Sequence, residues 1–506
     1  MAKRFRVYFT SDTHGHVFPV NYARSGPEAA GLLNLSDRIR KDGNTLVLDG
    51  GDSLQGTPLT QFYLDHRAEW PLPPVAAAFN AMGLDYFTLG NHDFNFGYDA
   101  LRQYLDAMDA VCLCANVEDL TGALPLRKWT VHTLENGLRV GLTGVVTDYV
   151  NGWEQPQNLH RLRVTDALAA ARDAREALRG RCDVCVCLYH GGFECDLETG
   201  RQLSASGENI ACRIARELEF DLLLTGHQHI AVEGVRLGRS WAVQPPANAG
   251  VCLEIEGSVS GMGAEFASRF LPAGETHPGQ PYGALLPLEQ AVQHWLDQPV
   301  GCLTGEIPPE EKLDAALHGS RLAALFNRVQ LEATGADFSC TSLGNDPVGL
   351  PTPVTMRHVT AAYLFANTLV VLEVTADVLR AALERCAAYF TLENGMPQVS
   401  QEFLQPKIEH YNYDFYAGLA CTFDLRRPVG RRVIRLTRAD GSALGQGPFR
   451  LCLSNYRATG TGGYDVLAQC PVLERGSVEV PALVADYIRR HSPVPTGEKG
   501  GLKVVW

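Results

Sequence analysis

The sequence lacks the features that mark several classes of protein. None of its apolar runs approaches the roughly 20 residues that a membrane-spanning helix needs. It also lacks an excess of basic residues, since 44 Lys and Arg stand against 57 Asp and Glu, for a formal net charge of -13. Proteins that bind nucleic-acid polymers usually carry the opposite balance. We therefore expect neither a membrane nor DNA or long RNA as a partner.

Other familiar signals are missing as well. There is no low-complexity tract, no internal repeat, no Gly-x-Ser-x-Gly motif and no P-loop. The N-terminus has no apolar signal core and passes directly into a strand-like segment at 5–9. As the sequence stands we expect a cytoplasmic location, or a periplasmic or extracellular one if a signal was removed.

The fourteen cysteines carry limited information. Cys185 and Cys187 lie in an apolar run, where burial as free thiols is the ordinary outcome. The spacing Cys182-x-x-Cys185 also fits a redox or metal pair, but no second pair stands at zinc-ribbon spacing. The free-thiol interpretation favours a reducing compartment.

The first half alternates short apolar strands with helical stretches, which is typical of an α/β layered domain. The predicted strands are 5–9, 45–48, 86–89, 140–145, 184–189 and 222–224, and the predicted helices are 29–41, 75–82, 98–108, 165–178 and 210–218.

A chain of 506 residues is too long for one hydrophobic core, so two domains are expected. Gly-, Ser- and Pro-rich stretches between about 255 and 300 surround a probable helix at 286–296. We predict a catalytic domain at 1–275, a helical linker at 276–300 and a second domain at 301–506. The second domain has its own helices, at 320–334 and 376–389, and an aromatic-rich segment at 411–423.

Five polar motifs, most of them flanked by glycine, carry the chemistry, and four of them directly follow an apolar strand. The carboxyl edge of an α/β sheet is where ligands bind, so distant residues can converge there. The motifs are Asp12-Thr-His14, Gly-Gly51-Asp52, Gly90-Asn91-His92-Asp93, His190-Gly-Gly and Gly226-His227-Gln-His229.

Together the motifs offer carboxylate, imidazole and amide ligands but no thiolate. Such a set suits Zn, Mn, Fe or Co better than Ca or Mg. Each histidine taken alone is more often a surface or core residue. Their joint occurrence at strand ends predicts a site for two divalent metal ions.

This ordered set resembles the calcineurin-like metallophosphoesterase superfamily. The resemblance implies an N-terminal four-layer α/β/β/α metallophosphoesterase domain, followed by a C-terminal α/β nucleotidase substrate-binding domain. It also implies a ligand set for each metal ion, with one shared carboxylate. The first ion would be held by Asp12, His14, Asp52 and His229, and the second by Asp52, Asn91, His190 and His227.

The chemistry expected of such a centre is in-line displacement at phosphorus by a metal-activated hydroxide. His92 lies beside a ligand but is not a ligand in this family. We expect it to protonate the leaving oxygen or to stabilise the charged transition state.

The second half resembles the nucleotidases, most of all the 2',3'-cyclic-nucleotide 2'-phosphodiesterase/3'-nucleotidase branch. The resemblance rests on the segments starting at Tyr363, His410, Cys421 and Ser454, the last reading Ser-Asn-Tyr-Arg-Ala-Thr-Gly. It implies that Tyr411 and Tyr456 hold a nucleobase between them, because aromatic faces grip any base. Asn455 and Asp465 are weaker candidates for contacts to the ribose or base. The alternative is that Tyr411, Tyr413 and Phe415 alternate along a strand as core residues.

Two departures from the family pattern affect the substrate. The position after the Gly-Asn-His motif that is Asp in many 5'-nucleotidases is Asn95 here, which favours the cyclic-phosphodiesterase branch. The loop 341–349 lacks the usual Gly-rich, Arg-containing pattern, so a substrate-contacting arginine is absent or comes from elsewhere.

The favoured hypothesis is a hydrolase of 2',3'-cyclic nucleotides and 3'-nucleotides, small molecules rather than polymers. A 5'-nucleotidase or a nucleotide-sugar pyrophosphatase is the close alternative. A nucleotide-binding module without catalysis is the alternative of another class, and a protein phosphatase is disfavoured by the nucleoside-binding domain. The patterns do not predict an oligomeric state.

Overall fold

The structure, a computed structural model, describes residues 2–203, 207–274, 281–365, 367–405 and 408–506. The chain divides into two compact units, Met1–Val292 and Gln293–Trp506. The predicted two-domain organisation of mixed α/β sheets with helices is thus confirmed. Residues 275–280, where the predicted linker begins, lie outside the described residues, and the exact boundaries at 275 and 300 stay predictions.

The first unit contains a seven-stranded sheet in which the N-terminal strand Lys3–Thr10 is third in spatial order. This strand pairs in parallel with Thr45–Asp49 and antiparallel with Val251–Ser260. In spatial order the strands are Gly263–Pro272, Val251–Ser260, Lys3–Thr10, Thr45–Asp49, Tyr86–Phe87, Val111–Leu113 and Leu126–Arg127.

A six-stranded sheet in the same unit is built around Val184–His190, in which every residue is buried. Its strands are Val232–Leu237, Ser240–Gln244, Leu222–Thr225, Val184–His190, Arg139–Val146 and Trp129–Thr133. Two short ladders join Val117–Asp119 to Leu162–Val164 and Val20–Asn21 to Gly26–Pro27.

The two sheets share one apolar core. Val7 and Phe9 from the first sheet and Leu142, Val186 and Leu224 from the second are fully buried in the same cluster. Helices cover the outer faces, which gives the predicted α/β/β/α layers. They are Leu32–Ser36, Pro58–Asp65, Pro74–Met82, Gly97–Ala107, Val150–Trp153, Pro156–Leu159, Ala167–Leu178 and Ala211–Leu218, with a 3-10 turn at Asn91–Phe94.

The helix predicted at 29–41 is wrong in extent, because only Leu32–Ser36 is helical. Gly31 has φ 96°, a left-handed conformation, so the helix cannot start earlier. Beyond its end, the Arg40 guanidinium hydrogen-bonds to the carbonyls of Asp37 and Ile39 in a non-helical turn. The strand predicted at 86–89 is shortened to Tyr86–Phe87.

The second unit is organised on a five-stranded mixed sheet. Its order is Asp414–Ala417, Phe338–Ser342, Phe449–Ser454, Thr368–Val374 and Val472–Glu479. A three-stranded sheet joins Val433–Arg438, Leu419–Asp424 and Lys503–Val505, a hairpin joins Phe390–Glu393 to Met396–Val399, and Pro299–Gly301 pairs with Val354–Thr355.

The helices of the second unit surround this sheet. The helix predicted at 286–296 is longer than expected, Pro281–Leu296, and most of it lies before Val292, where the first unit ends. Among the helices of the described residues, none is long and apolar enough to cross a membrane. The remaining helices are Lys312–His318, Arg321–Thr334, Met356–Ala362, Ala376–Ala387, Asn455–Ala458, Asp465–Ala468 and Val480–His491, with 3-10 turns at Gln401–Phe403 and His410–Asn412.

The cysteines behave partly as predicted. Cys182, Cys185 and Cys187 are free, and the last two are buried. Cys195 and Cys212, however, form a disulfide that the sequence did not predict. They are 17 residues apart, and the fold brings them together because the loop after Val184–His190 folds back onto the helix Ala211–Leu218.

Candidate metal centre

The five motifs converge on the carboxyl edges of the two sheets of the first unit. Asp12, Asp52 and Asn91 follow strands of the seven-stranded sheet, while His190 ends a strand of the six-stranded one and His227 follows another. Because the sheets pack face to face, these edges lie side by side.

Two groups of side chains are placed as metal ligands would be. In each group the nearest ligand atoms lie within 4.8 Å of one another among the described residues. The first group is Asp12, His14 and His229, and the second is Asp52, His190 and His227. Each group is part of one of the two predicted ligand sets, the first without Asp52 and the second without Asn91, and the role of each residue as a ligand stays a prediction.

The ring nitrogens of two histidines are oriented by the backbone. His14 Nδ1 lies 2.7 Å from the carbonyl oxygen of Gln55, and His190 Nδ1 lies 2.7 Å from that of Gly50. Both Nδ1 atoms therefore carry a proton, and both Nε2 atoms are the ring nitrogens that face the site. His14 Nε2 faces His229 Nε2 at 3.0 Å. Fixing the tautomer through the remote nitrogen is how proteins prepare histidine for a metal.

The carboxylate of Asp52 is also placed as a metal ligand would be. Its Oδ1 accepts the backbone N–H of His92 at 2.7 Å, whereas its buried Oδ2 has, among the described residues, only His190 Nε2 opposite it, at 3.2 Å. A buried carboxylate oxygen and an imidazole nitrogen that face each other repel unless a proton or a metal ion lies between them. The donor set therefore fits a divalent metal ion.

Asn91 and His227 complete the second group. Asn91 Oδ1 lies 3.2 Å from His190 Nε2 and 2.9 Å from His227 Nδ1. The amide oxygen thus points at the same place as the two imidazoles, as the resemblance implied, and it adds no charge.

The electrostatics of the centre keep His14 neutral and attract positive charge around His190. Burial, reinforced by His229, lowers the pKa of His14 to about 3, so this ring stays neutral. Burial would also lower the pKa of His190, but the nearby carboxylate of Asp52 raises it to about 10. The carboxylates that attract a proton there would attract a metal ion equally.

Five of the predicted ligands have left-handed backbone conformations. They are Asp12 (φ 54°), His14 (φ 49°), Asp52 (φ 57°), His227 (φ 74°) and His229 (φ 57°). Non-glycine residues seldom adopt this region, and each such position costs on the order of 1–2 kcal/mol. The turns keep these conformations because surrounding hydrogen bonds hold them.

Asp93 supplies that support at Asp52, a role that no sequence pattern predicted. Its buried carboxylate accepts the backbone N–H groups of Asp52, Ser53, Leu54 and Gly90, at 2.8 to 3.0 Å. Burial raises its pKa to about 6. Its place in the Gly90–Asp93 motif was the available signal.

His92 lies at the edge of the centre and is oriented by a neutral partner. Its Nδ1 is 2.8 Å from Asn95 Oδ1, and the Asn95 amide donates to Glu154 at 2.7 Å. Since the Asn95 amide nitrogen donates to Glu154, its oxygen accepts the Nδ1 proton of His92. His92 is therefore oriented by an amide with a buried carboxylate behind it, and no sequence pattern pointed to Glu154.

The predicted nucleobase residues lie in the second unit and are described separately. Tyr411 and Tyr456 lie near each other, with ring centroids 6.5 Å apart at an angle of 71°, and Phe365 lies 6.2 Å from Tyr411. The two tyrosines are edge to face rather than parallel. Tyr411 belongs to a 3-10 turn and not to the strand Asp414–Ala417, unlike Phe415.

Asn455 and Asp465, the weaker candidates for contacts to the ribose or base, are the first residues of two short helices. Asn455 Oδ1 accepts the backbone N–H of Thr368 at 3.1 Å, which ties a helix start to a strand start. Asp465 is exposed at the start of its own helix. Tyr411, Tyr456, Asn455 and Asp465 all stay predictions as substrate contacts.

A buried ion pair holds the two tyrosine segments together. Arg457 Nε lies 2.9 Å from Asp414 Oδ2, and the side chains are only 3% and 2% exposed. Arg457 also donates to the carbonyl oxygen of Tyr411 at 2.9 Å and to that of Thr461. The arginine of the Asn-Tyr-Arg motif is therefore a structural residue next to Tyr456.

The loop that lacks the expected arginine has a lysine beside it. Lys312 Nζ donates to the carbonyl oxygen of Leu343 at 3.1 Å. Burial lowers the pKa of Lys312 to about 8, against attraction by Asp346. No sequence pattern singles out Lys312.

Comparison with known proteins agrees with this geometry. The sequence matches the family model of the calcineurin-like phosphoesterases over residues 5–231 and that of the 5'-nucleotidase C-terminal domain over residues 300–469. The chain thus has an N-terminal metallophosphoesterase domain and a C-terminal 5'-nucleotidase domain, and the predicted resemblance is confirmed. This phosphoesterase is accordingly a hydrolytic enzyme, and calcineurin-like phosphoesterases use divalent metal ions.

Its relatives include proteins with several named activities. The trifunctional nucleotide phosphoesterase protein YfkN of Bacillus subtilis is 23% identical over 95% of this chain, which spans only 37% of that relative. The 2',3'-cyclic-nucleotide 2'-phosphodiesterase/3'-nucleotidase of Haemophilus influenzae is 23% identical over 98% of this chain and 85% of the relative.

A solved structure resembles the phosphoesterase over its whole length. It is a Staphylococcus aureus protein, provisionally assigned as a 5'-nucleotidase and solved in complex with alpha-ketoglutarate. It shares 29% identity, a TM-score of 0.91, and coverage of 99% of this chain and 100% of that one.

Proposed function

We propose that this phosphoesterase hydrolyses nucleotide phosphoesters, with 2',3'-cyclic nucleotides and 3'-nucleotides as substrates. The observation that carries the proposal is the pair of ligand groups with His92 at their edge. The named activity of the Haemophilus influenzae relative, which aligns over nearly the whole chain, supports the substrate class.

Two divalent ions, Zn, Mn, Fe or Co, would be held by this centre. Asp12, His14 and His229 would hold the first ion, and His190, His227 and Asn91 the second, with Asp52 contributing to both. When bound, such ions make a coordinated water acidic and neutralise the oxygens of the phosphoryl group. The mixed nitrogen and oxygen donors support these metals over Ca or Mg.

His92 is proposed to hold and transfer the proton that the leaving oxygen needs. Its Nδ1 proton is committed to Asn95, so Nε2 is the atom that exchanges a proton with the substrate. A neutral amide fixes the ring orientation without adding a charge to it. This arrangement supports the role that the resemblance implied.

In the second unit, Tyr411 and Tyr456 are proposed to bind the base. Their edge-to-face contact leaves no room for a base between the rings, so we propose that one ring turns when a nucleoside binds. Aromatic contacts of this kind contribute on the order of 1–3 kcal/mol per base and tolerate any base.

The test is phosphate release by the full chain with Mn or Zn from adenosine 3'-monophosphate, adenosine 2',3'-cyclic monophosphate and adenosine 5'-monophosphate. The cyclic substrate is read by its conversion to the monoester. Faster turnover of the first two supports the proposal. Metal-loaded protein that binds nucleotides but hydrolyses none of them would instead be a nucleotide-binding module.

A 5'-nucleotidase is the second candidate, and the Staphylococcus aureus structure favours it, since that protein is the 29% identical match over the whole chain. Preference for adenosine 5'-monophosphate over the 3'-isomer would select this candidate. A nucleotide sugar in the same assay distinguishes the pyrophosphatase alternative.

A further inference from the structure

Three of the histidines predicted as metal ligands, His14, His190 and His227, each have one ring nitrogen held by a partner outside the predicted ligand sets. The three histidines differ in the chemical nature of that partner. For His14 and His190 this partner is a backbone carbonyl, that of Gln55 or Gly50. For His227 it is a carboxylate, because His227 Nε2 lies 3.0 Å from Glu208 Oε1. Glu208 belongs to none of the five motifs.

The backbone of Glu208 is fastened to the strand that carries His190. Its carbonyl oxygen accepts the hydroxyl groups of Thr147 at 2.9 Å and Tyr189 at 3.3 Å. The next residue, Asn209, accepts the backbone N–H of Gly192 at 2.7 Å. The carboxylate therefore approaches His227 from a fixed position rather than from a loosely held loop.

The ring of His227 is also covered on one face. Trp153 stacks on it with ring centroids 5.4 Å apart and an angle of 19° between the planes. The side chain of His227 is 14% exposed and that of Glu208 is 30% exposed. Partial exclusion of water strengthens a charge-assisted hydrogen bond between them.

We propose that Glu208 is a positioning residue that prepares His227 for the metal centre. By accepting the Nε2 proton it fixes the tautomer in which Nδ1, 2.9 Å from Asn91 Oδ1, presents its lone pair to the site. It also makes the ring a stronger electron donor, as carboxylate–histidine pairs do behind metal ions. The inference rests on the metal chemistry of the proposed function, but not on the substrate.

The experiment measures metal binding without any nucleotide. Metal-free full-length protein is titrated with Co²⁺ against a competing chelator, and the visible absorption of bound Co²⁺ is recorded. The variants are Glu208→Ala, which removes the acceptor, and Glu208→Gln, which keeps an acceptor oxygen but no charge. Glu198→Ala is the matched control, because Glu198 is an exposed carboxylate of the same loop.

For Glu208→Ala we expect one of two Co²⁺ ions to bind about 10- to 100-fold more weakly, with a changed absorption spectrum. Glu208→Gln should lose less affinity, and Glu198→Ala should match the wild type. The thermal unfolding of the metal-free protein should be the same in all four, which separates positioning from a purely structural role.

Two results would overturn the inference. One is Co²⁺ binding by Glu208→Ala and Glu208→Gln with wild-type affinity and spectrum. The other is loss of affinity in proportion to a lowered unfolding temperature of the metal-free variants. A protein that hydrolyses no nucleotide, yet loses Co²⁺ affinity as expected, would refute the proposed function and leave the role of Glu208 standing.

Discussion

Replacing Arg457 by Met should destabilise the second unit strongly, although Arg457 is not a predicted ligand of substrate or metal. The substitution leaves the carboxylate of Asp414 buried, 2% exposed and without its cation. It also removes the donors to the carbonyl oxygens of Tyr411 and Thr461. Methionine fills a similar volume, so the loss is electrostatic rather than a cavity.

The magnitude follows from the burial of both partners. Breaking a buried ion pair from one side costs about 3–5 kcal/mol. The second unit has about 200 residues, a size at which 1 kcal/mol lowers Tm by about 2–4 °C. The expected fall in Tm is therefore about 6–20 °C.

Differential scanning calorimetry of the full chain, with and without added Mn, measures this effect. Added metal raises the transition of the unit that binds it. The transition that does not respond to metal reports the second unit, and it should move in Arg457→Met. If the units unfold together, the single transition should fall instead.

The matched control is Arg450→Met, which breaks an ion pair with Glu474 whose side chains are 36% and 52% exposed. Such a pair contributes no more than about 1 kcal/mol. The double variant Arg457→Met/Asp414→Asn should recover part of the loss, because the unpaired charge is gone. Equal shifts for Arg457→Met and Arg450→Met would refute the reasoning.

Three further predictions concern other parts of the chain. His92→Asn should lower kcat for a 3'-nucleotide by about 10²- to 10⁴-fold at unchanged metal content, because the backbone donor to Asp52 remains while the proton carrier is lost. Reduction of Cys195–Cys212, which closes a loop of 17 residues, should lower the free energy of unfolding by about 3 kcal/mol in denaturant titrations. Between about pH 8 and pH 10.5, the free energy of unfolding of the wild type should rise with pH relative to that of Lys312→Met. In that range the lysine of the unfolded chain still holds its proton, whereas the folded Lys312, whose pKa burial lowers to about 8, has released it.

Each of these has an internal control. The control for His92→Asn is His160→Asn, because His160 is exposed and belongs to none of the five motifs. Its kcat should equal that of the wild type. The double variant Cys195→Ser/Cys212→Ser should unfold identically with and without reductant. Parallel pH profiles of stability for wild type and Lys312→Met would show that burial does not disfavour the charged lysine.

Sequence patterns predicted which side chains the fold brings together at the candidate centre, because these residues obey a rule of α/β sheets. Asp12, Asp52 and His190 stand where an apolar strand ends, and parallel strands of one sheet end at one edge. The motifs are short and local, so their spacing survives in the sequence. The α/β/β/α layers followed from the same alternation of strands and helices.

The residues that the sequence missed act across long separations. Glu208 is 19 positions from His227, and Glu154 is 59 positions from Asn95. A single glutamate carries no local pattern, so only the folded chain identifies its partner. The Cys195–Cys212 pairing was missed for the same reason, since the intervening loop determines which thiols meet.

The predicted helix at 29–41 failed for a different reason. The pattern of apolar residues in this segment fits a helix, but Gly31 adopts a left-handed conformation. The helix therefore cannot include the residues before Gly31. The aromatic pair shows a third limit: the motifs brought Tyr411 and Tyr456 together in the prediction, but they carry no information on the angle between the rings.

The left-handed turns at Asp12, His14, Asp52, His227 and His229 separate the shape of each loop from the chemistry of its donor atom. Hydrogen bonds from outside each turn, such as those to Asp93, determine the backbone conformation there. Another unbranched polar side chain at a ligand position would therefore direct its donor atom to the same place. Metal preference can thus change during evolution by single substitutions. Gain or loss of one residue in a turn would instead redirect the donors and abolish the site.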